Sequence, residues 1–248
     1  MSQCLVVKRE ILEKTDFWSR IPRNAEGKLF GFVKLKPQEI NEFLEIIDGN
    51  REFKERFEKE DIEHRPEWQQ IIFYGLIRQG DKFFAYQRGG KDSSYVETRL
   101  QGKIAVGVGG HIEPFDAGLI DSLYRELDEE VVFKKNGQEI NLKNSAGKIT
   151  EKSFTNLADI YITGLIKNEL KEVDEVHLGL ACEVKLVDPN LTVEIRPGEN
   201  SEGKMMTLKE YQDWVEIKKS EAVPEDWTQI FIKEISKELK PPKGKERI

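Results

Sequence analysis

Residues 109–116 (GGHIEPFD) and 125–130 (RELDEE) decide the fold of this chain. The first segment is a glycine-rich turn, and the second lies in a predicted helix over residues 117–131. Apolar residues at helical spacing predict the buried stripe of this helix; they are Ile120, Leu123, Leu127 and Val131. Three acids at i, i+3 and i+4 share the opposite stripe; they are Glu126, Glu129 and Glu130.

The three clustered carboxylates predict a cation site. Each like-charged pair on a helix costs about 0.2–0.5 kcal/mol, and Arg125, four residues before Glu129, can neutralise only part of the charge. The predicted helix offers no histidine or thiol beside these acids. Carboxylate oxygens are the ligands that Mg²⁺ and Mn²⁺ prefer, so we predict that one of these ions is the cofactor.

At these residues the sequence resembles the Nudix hydrolase family, whose box is G-x5-E-x7-R-E-U-x-E-E-x-G-U, with U a bulky aliphatic residue. Gly110, residues 125–130 and Phe133 fit this box. The chain departs from it in three ways. Asp116 stands where the first glutamate is expected, the spacer from Asp116 to Arg125 holds eight residues instead of seven, and Val132 replaces the late glycine.

The resemblance implies a hydrolase in which water attacks a phosphorus of a small, nucleotide-like phosphoanhydride or phosphoester, aided by a divalent cation. The implied metal ligands are Gly110, through its carbonyl, and Glu126, Glu129 and Glu130. Arg125 would orient a helix glutamate, and Asp116 would have a structural role.

The resemblance leaves the general base open among acids of the box and acids of a distant loop. Those of the box are Glu126 and Glu129, and those of the loop are Glu172, Asp174 and Glu175. For substrate binding we predict Arg88 and Arg99 as phosphate clamps, together with His111 beside the glycine pair.

The match extends beyond the box. Residues 97–100 (ETRL), residues 176–179 (VHLG) and Trp227 are similar to a branch of predicted Nudix phosphoesterases. We therefore predict a Nudix domain over residues 68–240, an N-terminal extension over residues 1–67 packed on it, and a flexible basic tail over residues 241–248. The role of the extension and the identity of the substrate stay open.

Strand and helix patterns around the box predict an α+β fold, an α/β/α sandwich with a mixed β-sheet between helices. Residues 71–77 form an apolar run typical of a strand buried on both faces, and residues 82–88 read as its hairpin partner. Asn136 and Gly137 suit the turn of a second hairpin. Residues 51–63 read as a solvated helix with Phe53 and Phe57 on one stripe.

Composition excludes several classes of protein. The 248 residues carry a formal net charge of −7, which disfavours a nucleic-acid partner, and no apolar run reaches the length of a membrane span. Two cysteines cannot form a disulfide framework, and three histidines spread along the sequence argue against a zinc enzyme. We expect a cytoplasmic protein that takes a small phosphorylated substrate. The sequence leaves the oligomeric state open, with a homodimer as one option.

Two alternatives to hydrolysis remain. The altered box and the N-terminal extension also fit a Nudix module that binds or senses a ligand without turnover. All three box glutamates are retained, however, which favours catalysis. Isomerisation of an isoprenoid diphosphate is a further Nudix-like activity, but no cysteine lies near the box to support it.

Overall fold

The computed structural model describes residues 3–57, 61–89, 100–196 and 200–238. The strands are β1 Gln3–Lys8, β2 Phe30–Lys34, β3 Glu52–Glu55, β4 Trp68–Gln79, β5 Lys82–Arg88, β6 Ile104–Ala105, β7 Gly107–Val108, β8 Val131–Lys135, β9 Gln138–Glu139, β10 Ala158–Asn168, β11 His177–Leu186, β12 Leu191–Ile195 and β13 Asn200–Thr207. The helices are α1 Arg9–Leu12, α2 Asp16–Ser19, α3 Pro37–Asn50, α4 Asp121–Glu130, α5 Glu151–Phe154, α6 Glu172–Glu175, α7 Leu208–Lys218 and α8 Asp226–Glu238, with a 3₁₀ helix at Ile62–His64.

The main sheet is mixed and has the order β13-β5-β4-β11-β10-β2. Strands β4 and β11 pair in parallel, with His177 opposite Gln70, whereas β4–β5, β10–β11 and β10–β2 are antiparallel. β12, β8 and β9 form a second, small sheet. The parallel pair brings the beginnings of β4 and β11 to one edge, where the candidate site lies.

Strand β4 separates two hydrophobic layers. Its side chains alternate between the faces of the sheet, so that Phe73 packs in the cluster that contains α3 and α4, and Tyr74 packs in the cluster that contains α7 and α8. Helices therefore cover both faces. The predicted α+β sandwich with a mixed sheet is confirmed, as is the doubly buried strand over residues 71–77.

The hairpins are confirmed as well. β4 and β5 pair across residues 78–83, and β8 and β9 are joined by Asn136 and Gly137. These two residues have φ values of 54° and 80°, as a type I′ turn requires.

The described residues of the segment 51–63, which are 51–57 and 61–63, do not form the predicted α-helix, so this prediction is wrong. The segment contains β3, which pairs with β1 so that Phe53 lies opposite Leu5, and the 3₁₀ helix that follows residues 58–60, which lie outside the described part. A dense run of charges fits an edge strand and a solvated helix equally well, and pairing with β1 decides between them. The sequence also did not predict β12 and β13.

The N-terminal region contributes strands to the main sheet. β1 pairs with β4, and β2 pairs with β10 at the sheet edge. The division at residue 67 stays a prediction, and the predicted tail over residues 241–248 lies outside the described residues. Within the described residues, no helix is long and apolar enough to cross a membrane.

Substitutions at two separate glycines, Gly179 and Gly49, test the packing of α8 on the sheet. A Cβ at Gly179 would lie 2.4 Å from Cζ3 of the buried Trp227, whereas a Cβ at Gly49, in α3, would meet nothing within 4 Å. We expect Gly179→Ala to lower the free energy of unfolding by about 1–3 kcal/mol through overpacking. Gly49→Ala should raise it by about 0.5 kcal/mol. Urea unfolding measures both, and equal effects would contradict the packing described.

Candidate active site

A cavity of about 320 Å³ lies where α4 faces the beginnings of β4 and β11. Three carboxylates of α4 line one wall, namely Glu126, Glu129 and Glu130, and Gly110 and His111 line the adjoining turn. Asp174, His177 and Trp227 line it from the other elements. The structure thus brings the predicted box residues together in one concave site.

The buried face of α4 directs its acids into this cavity. Leu123 and Leu127 are fully buried in the core, and a Cβ at Gly75 of β4 would lie 3.1 Å from Cδ1 of Leu123, so the helix packs closely on the sheet. Because residues at i, i+3 and i+4 share a stripe, the acids must point away from this contact. Packing of the apolar stripe on the sheet therefore determines where the acidic stripe points.

Arg125 holds the acids in place. Its Nε and Nη2 donate to the two carboxylate oxygens of Asp116 at 3.0 and 3.1 Å, and its Nη1 donates to Glu126 at 2.8 Å and to Glu129 at 3.1 Å. Nη2 also donates to the carbonyl of His111 at 2.9 Å. One guanidinium therefore connects the turn, the loop and the helix through charge-assisted bonds.

Asp116 reaches Arg125 despite the altered spacing. Its carboxylate is buried, and it also accepts a bond from the backbone N–H of Glu113 at 2.8 Å. Aspartate is one methylene shorter than glutamate, and the eight-residue spacer runs from residue 117 into the first turn of α4. Through these contacts Asp116 fixes the loop, and it does not line the cavity.

Gly110 lies directly against Glu126. A Cβ at Gly110 would lie 2.6 Å from Oε1 of Glu126, so any side chain here would displace the carboxylate. The Gly110 carbonyl accepts a bond from the backbone N–H of Phe73 at 3.1 Å. A carbonyl oxygen has two lone pairs, which leaves one for a cation. The preceding Gly109 has a φ of 146° and could not carry a side chain.

The carboxylates lie in an environment that disfavours their charge. Burial raises the pKa of Glu126 to about 7, although the Arg125 guanidinium acts in the opposite direction. Burial also raises the pKa of Glu113 beside it. A cation bound beside these carboxylates would offset the cost of ionising them in this buried position.

The predicted substrate-binding residues have three different outcomes. Arg88 lines the cavity, but its guanidinium is paired with the buried carboxylate of Glu225 at 3.2 and 3.4 Å. Arg99 lies outside the described residues. His111 lines the cavity, and its Nε2 lies 2.9 Å from Oε1 of Gln70. Their roles toward a substrate stay predictions.

Of the three acids named in the distant loop, Asp174 lines the cavity and Glu172 and Glu175 do not. The Asp174 carboxylate accepts a bond from the Asn168 amide at 2.6 Å. Burial raises its pKa to about 6. Asp174 is therefore the loop acid that can act on a bound molecule.

Sequence reasoning missed the residues that the N-terminal region brings to the site. Arg56 lines the cavity and donates to the buried Glu63 carboxylate at 3.0 Å. The sequence also suggested that the histidines are scattered, whereas Nε2 of His111 and Nε2 of His177 lie 3.3 Å apart. Gln69 and Gln70 are two polar residues at the start of an apolar strand. They are the sequence signal that polar groups, such as His111, contact β4 here.

Known proteins resemble this chain in part of its sequence and in its fold. No protein-family profile matches the chain. Protein YmaB of Bacillus subtilis (strain 168) is 30% identical over 158 residues, which are 60% of this chain and 65% of that protein, so the match spans less than two thirds of the relative. The crystal structure of Tm1382, a candidate Nudix hydrolase, superposes with a TM-score of 0.60 and 20% identity, covering 96% of this chain and all of that one.

The chain has the Nudix fold. The resemblance predicted from the box is thereby confirmed at the level of the fold. Because the superposition covers 96% of this chain, it includes most of the N-terminal region.

The Arg125 network predicts a large loss of stability when the guanidinium is removed. Arg125→Ala leaves the buried Asp116 carboxylate and the Glu126 carboxylate without their cation, which costs about 3–5 kcal/mol for a buried pair. We expect that loss in urea unfolding. Lys209→Ala, which breaks an exposed pair with Asp213, serves as the control and should change stability by less than about 0.5 kcal/mol. Similar losses in both variants would contradict the role given to Arg125.

Proposed function

We propose that the chain is a member of the Nudix hydrolase family that hydrolyses a phosphoanhydride or phosphoester of a small, nucleotide-like molecule with Mg²⁺ or Mn²⁺. One observation carries the proposal. Glu126, Glu129 and Glu130 line a single cavity beside Gly110, and Arg125 contacts the first two. The box retains its acids and also the contacts that orient them. A cytoplasmic location agrees with this activity and stays a prediction.

The donor set supports a hard divalent cation. Glu126, Glu129, Glu130 and the Gly110 carbonyl would hold it, and all of these donors are oxygens, as Mg²⁺ and Mn²⁺ prefer. The contact that a Cβ at Gly110 would make with Glu126 supports the same assignment, because it places the Gly110 backbone directly beside the carboxylate. When bound, the cation offsets phosphate charge and polarises the P–O bond that breaks.

The protein groups around this cation position supply the other steps. We propose Asp174 as the base that takes a proton from the attacking water, since it lines the cavity and its pKa of about 6 suits proton transfer near neutral pH. Asn168 orients the carboxylate by donating to it. Trp227 presents an apolar surface of the cavity against which a flat group of the substrate can pack.

Loss of one box glutamate should abolish turnover. We expect the purified chain with Mg²⁺ or Mn²⁺ to release a phosphorylated product from a member of a panel of nucleotide sugars, dinucleotides and nucleoside triphosphates. Glu129→Gln should lower kcat by about 100-fold or more, because a metal ligand is lost. Glu216→Gln, at an exposed pair with Lys219 on α7, is the control. Tight nucleotide binding without any product would favour the non-catalytic alternative.

The proposed base makes a pH prediction. A carboxylate with a raised pKa is ionised above about pH 6 and is protonated as the pH falls through that value, so kcat/KM should fall on the acid side. Asp174→Asn should lower kcat by about 10²–10⁴-fold and remove that acid limb. A variant within a few-fold of the wild type, with its acid limb unchanged, would show that another group is the base.

A further inference from the structure

A second cluster of potential metal ligands contains none of the α4 carboxylates. Glu63, His111 and His177 each place one ligand atom within 4.8 Å of the others. They come from the 3₁₀ helix, the turn after β7 and the first residue of β11. Glu63 and His177 are buried, and His111 is half-buried. The register that sets His177 opposite Gln70 and the bridge between His111 and Ile72 bring the histidines together.

The His177 ring is oriented as a metal ligand would be. Its Nδ1 lies 2.5 Å from the carbonyl oxygen of Val173, and because a carbonyl only accepts, Nδ1 must carry the proton. Burial lowers the pKa of His177 to about 4, so the ring is neutral at pH 7 and Nε2 has a lone pair directed toward His111. Histidine ligands commonly donate their other ring N–H to a carbonyl in this way.

The spacing of the two histidines matches tetrahedral coordination. Zinc–nitrogen bonds of about 2.0–2.1 Å at a tetrahedral angle place two ligand nitrogens about 3.3–3.4 Å apart, and the two Nε2 atoms lie 3.3 Å apart. Without a cation, one of these nitrogens has to carry a proton. Nε2 of His111 is the one that does, because it also lies 2.9 Å from Oε1 of Gln70, which can only accept.

The Glu63 carboxylate, like the His177 ring, is held in position by hydrogen bonds. Glu63 Oε1 accepts from Nε of Arg56 at 3.0 Å and from Nε2 of Gln70 at 3.4 Å. Carboxylates that bind metals are themselves commonly held by hydrogen bonds. Arg56 brings one positive charge to the site, and the Glu63 carboxylate offsets it, so the two neutral histidines determine which cation is accepted.

We propose that Glu63, His111 and His177 bind Zn²⁺ or a similar transition-metal cation, in a site separate from the α4 carboxylates. Two imidazoles and one carboxylate are a donor set that zinc sites use with a fourth position left open, whereas imidazole is a poor ligand for Mg²⁺. Since both histidines line the cavity, the open position faces it. The site would fasten the 3₁₀ helix of the N-terminal region to the Nudix core, and it does not depend on the proposed hydrolysis.

Cobalt binding to the full chain tests the site without any substrate. Tetrahedral Co²⁺ absorbs visible light far more strongly than octahedral Co²⁺, so it distinguishes a histidine site from an oxygen site. We expect the metal-free wild type to bind one tetrahedral equivalent with a spectrum that Zn²⁺ abolishes. Binding at Nε2 of the neutral His111 ring moves its proton to Nδ1, so both histidines stay neutral ligands. Only weak octahedral absorption in the wild type would overturn the proposal.

Variants assign the ligands. His177→Asn retains a donor toward Val173 and removes Nε2, and Glu63→Gln retains the shape of the carboxylate; each should weaken tetrahedral Co²⁺ binding by about 100-fold. His64→Asn, at an exposed histidine, should bind Co²⁺ as the wild type does, and Glu129→Gln, on α4, should retain the tetrahedral part of the spectrum. If His177→Asn does not fold by circular dichroism, Glu63→Gln decides. A tetrahedral spectrum that survives in Glu63→Gln, or is lost in Glu129→Gln, would overturn the assignment.

Discussion

The bonds from Arg125 to Asp116, Glu126 and Glu129 are the interaction on which the site depends. Three acids on one helical face repel each other, and burial adds a cost for charge at Glu126. A single guanidinium offsets part of this repulsion and fixes the positions of the acids. The remaining negative charge lies along one wall of the cavity. In the proposed function this wall would hold a cation, and the bound cation would favour an anionic phosphate.

Local patterns made the fold and the box predictable. The apolar run of β4, the Asn136-Gly137 turn and the stripe of α4 each follow from residues close together in sequence, and the structure contains all three. The extra residue before Arg125 did not prevent the Asp116 contact. Sequence spacing therefore predicts the relative positions of functional side chains when a single helix, strand or turn contains all of them.

Contacts between distant segments could not be predicted. The pairing of Arg88 with Glu225 joins residues 137 apart in sequence, and no local pattern indicates it. The meeting of His111 and His177 requires the parallel register of β4 and β11. Phe53 and Phe57 fit a helical stripe by spacing, but the partner strand β1 converts the segment into an edge strand. In each of these cases, the structure depends on a partner residue or strand that is distant in the sequence.

The central claim is that the α4 carboxylates and the Gly110 carbonyl hold a divalent cation. Anomalous diffraction from crystals grown with Mn²⁺ tests it most directly. We expect a manganese peak about 2 Å from carboxylate oxygens of Glu126 and Glu129 and from the carbonyl oxygen of Gly110. A well-ordered α4 with no peak beside these oxygens, at a manganese concentration that supports hydrolysis, would contradict it.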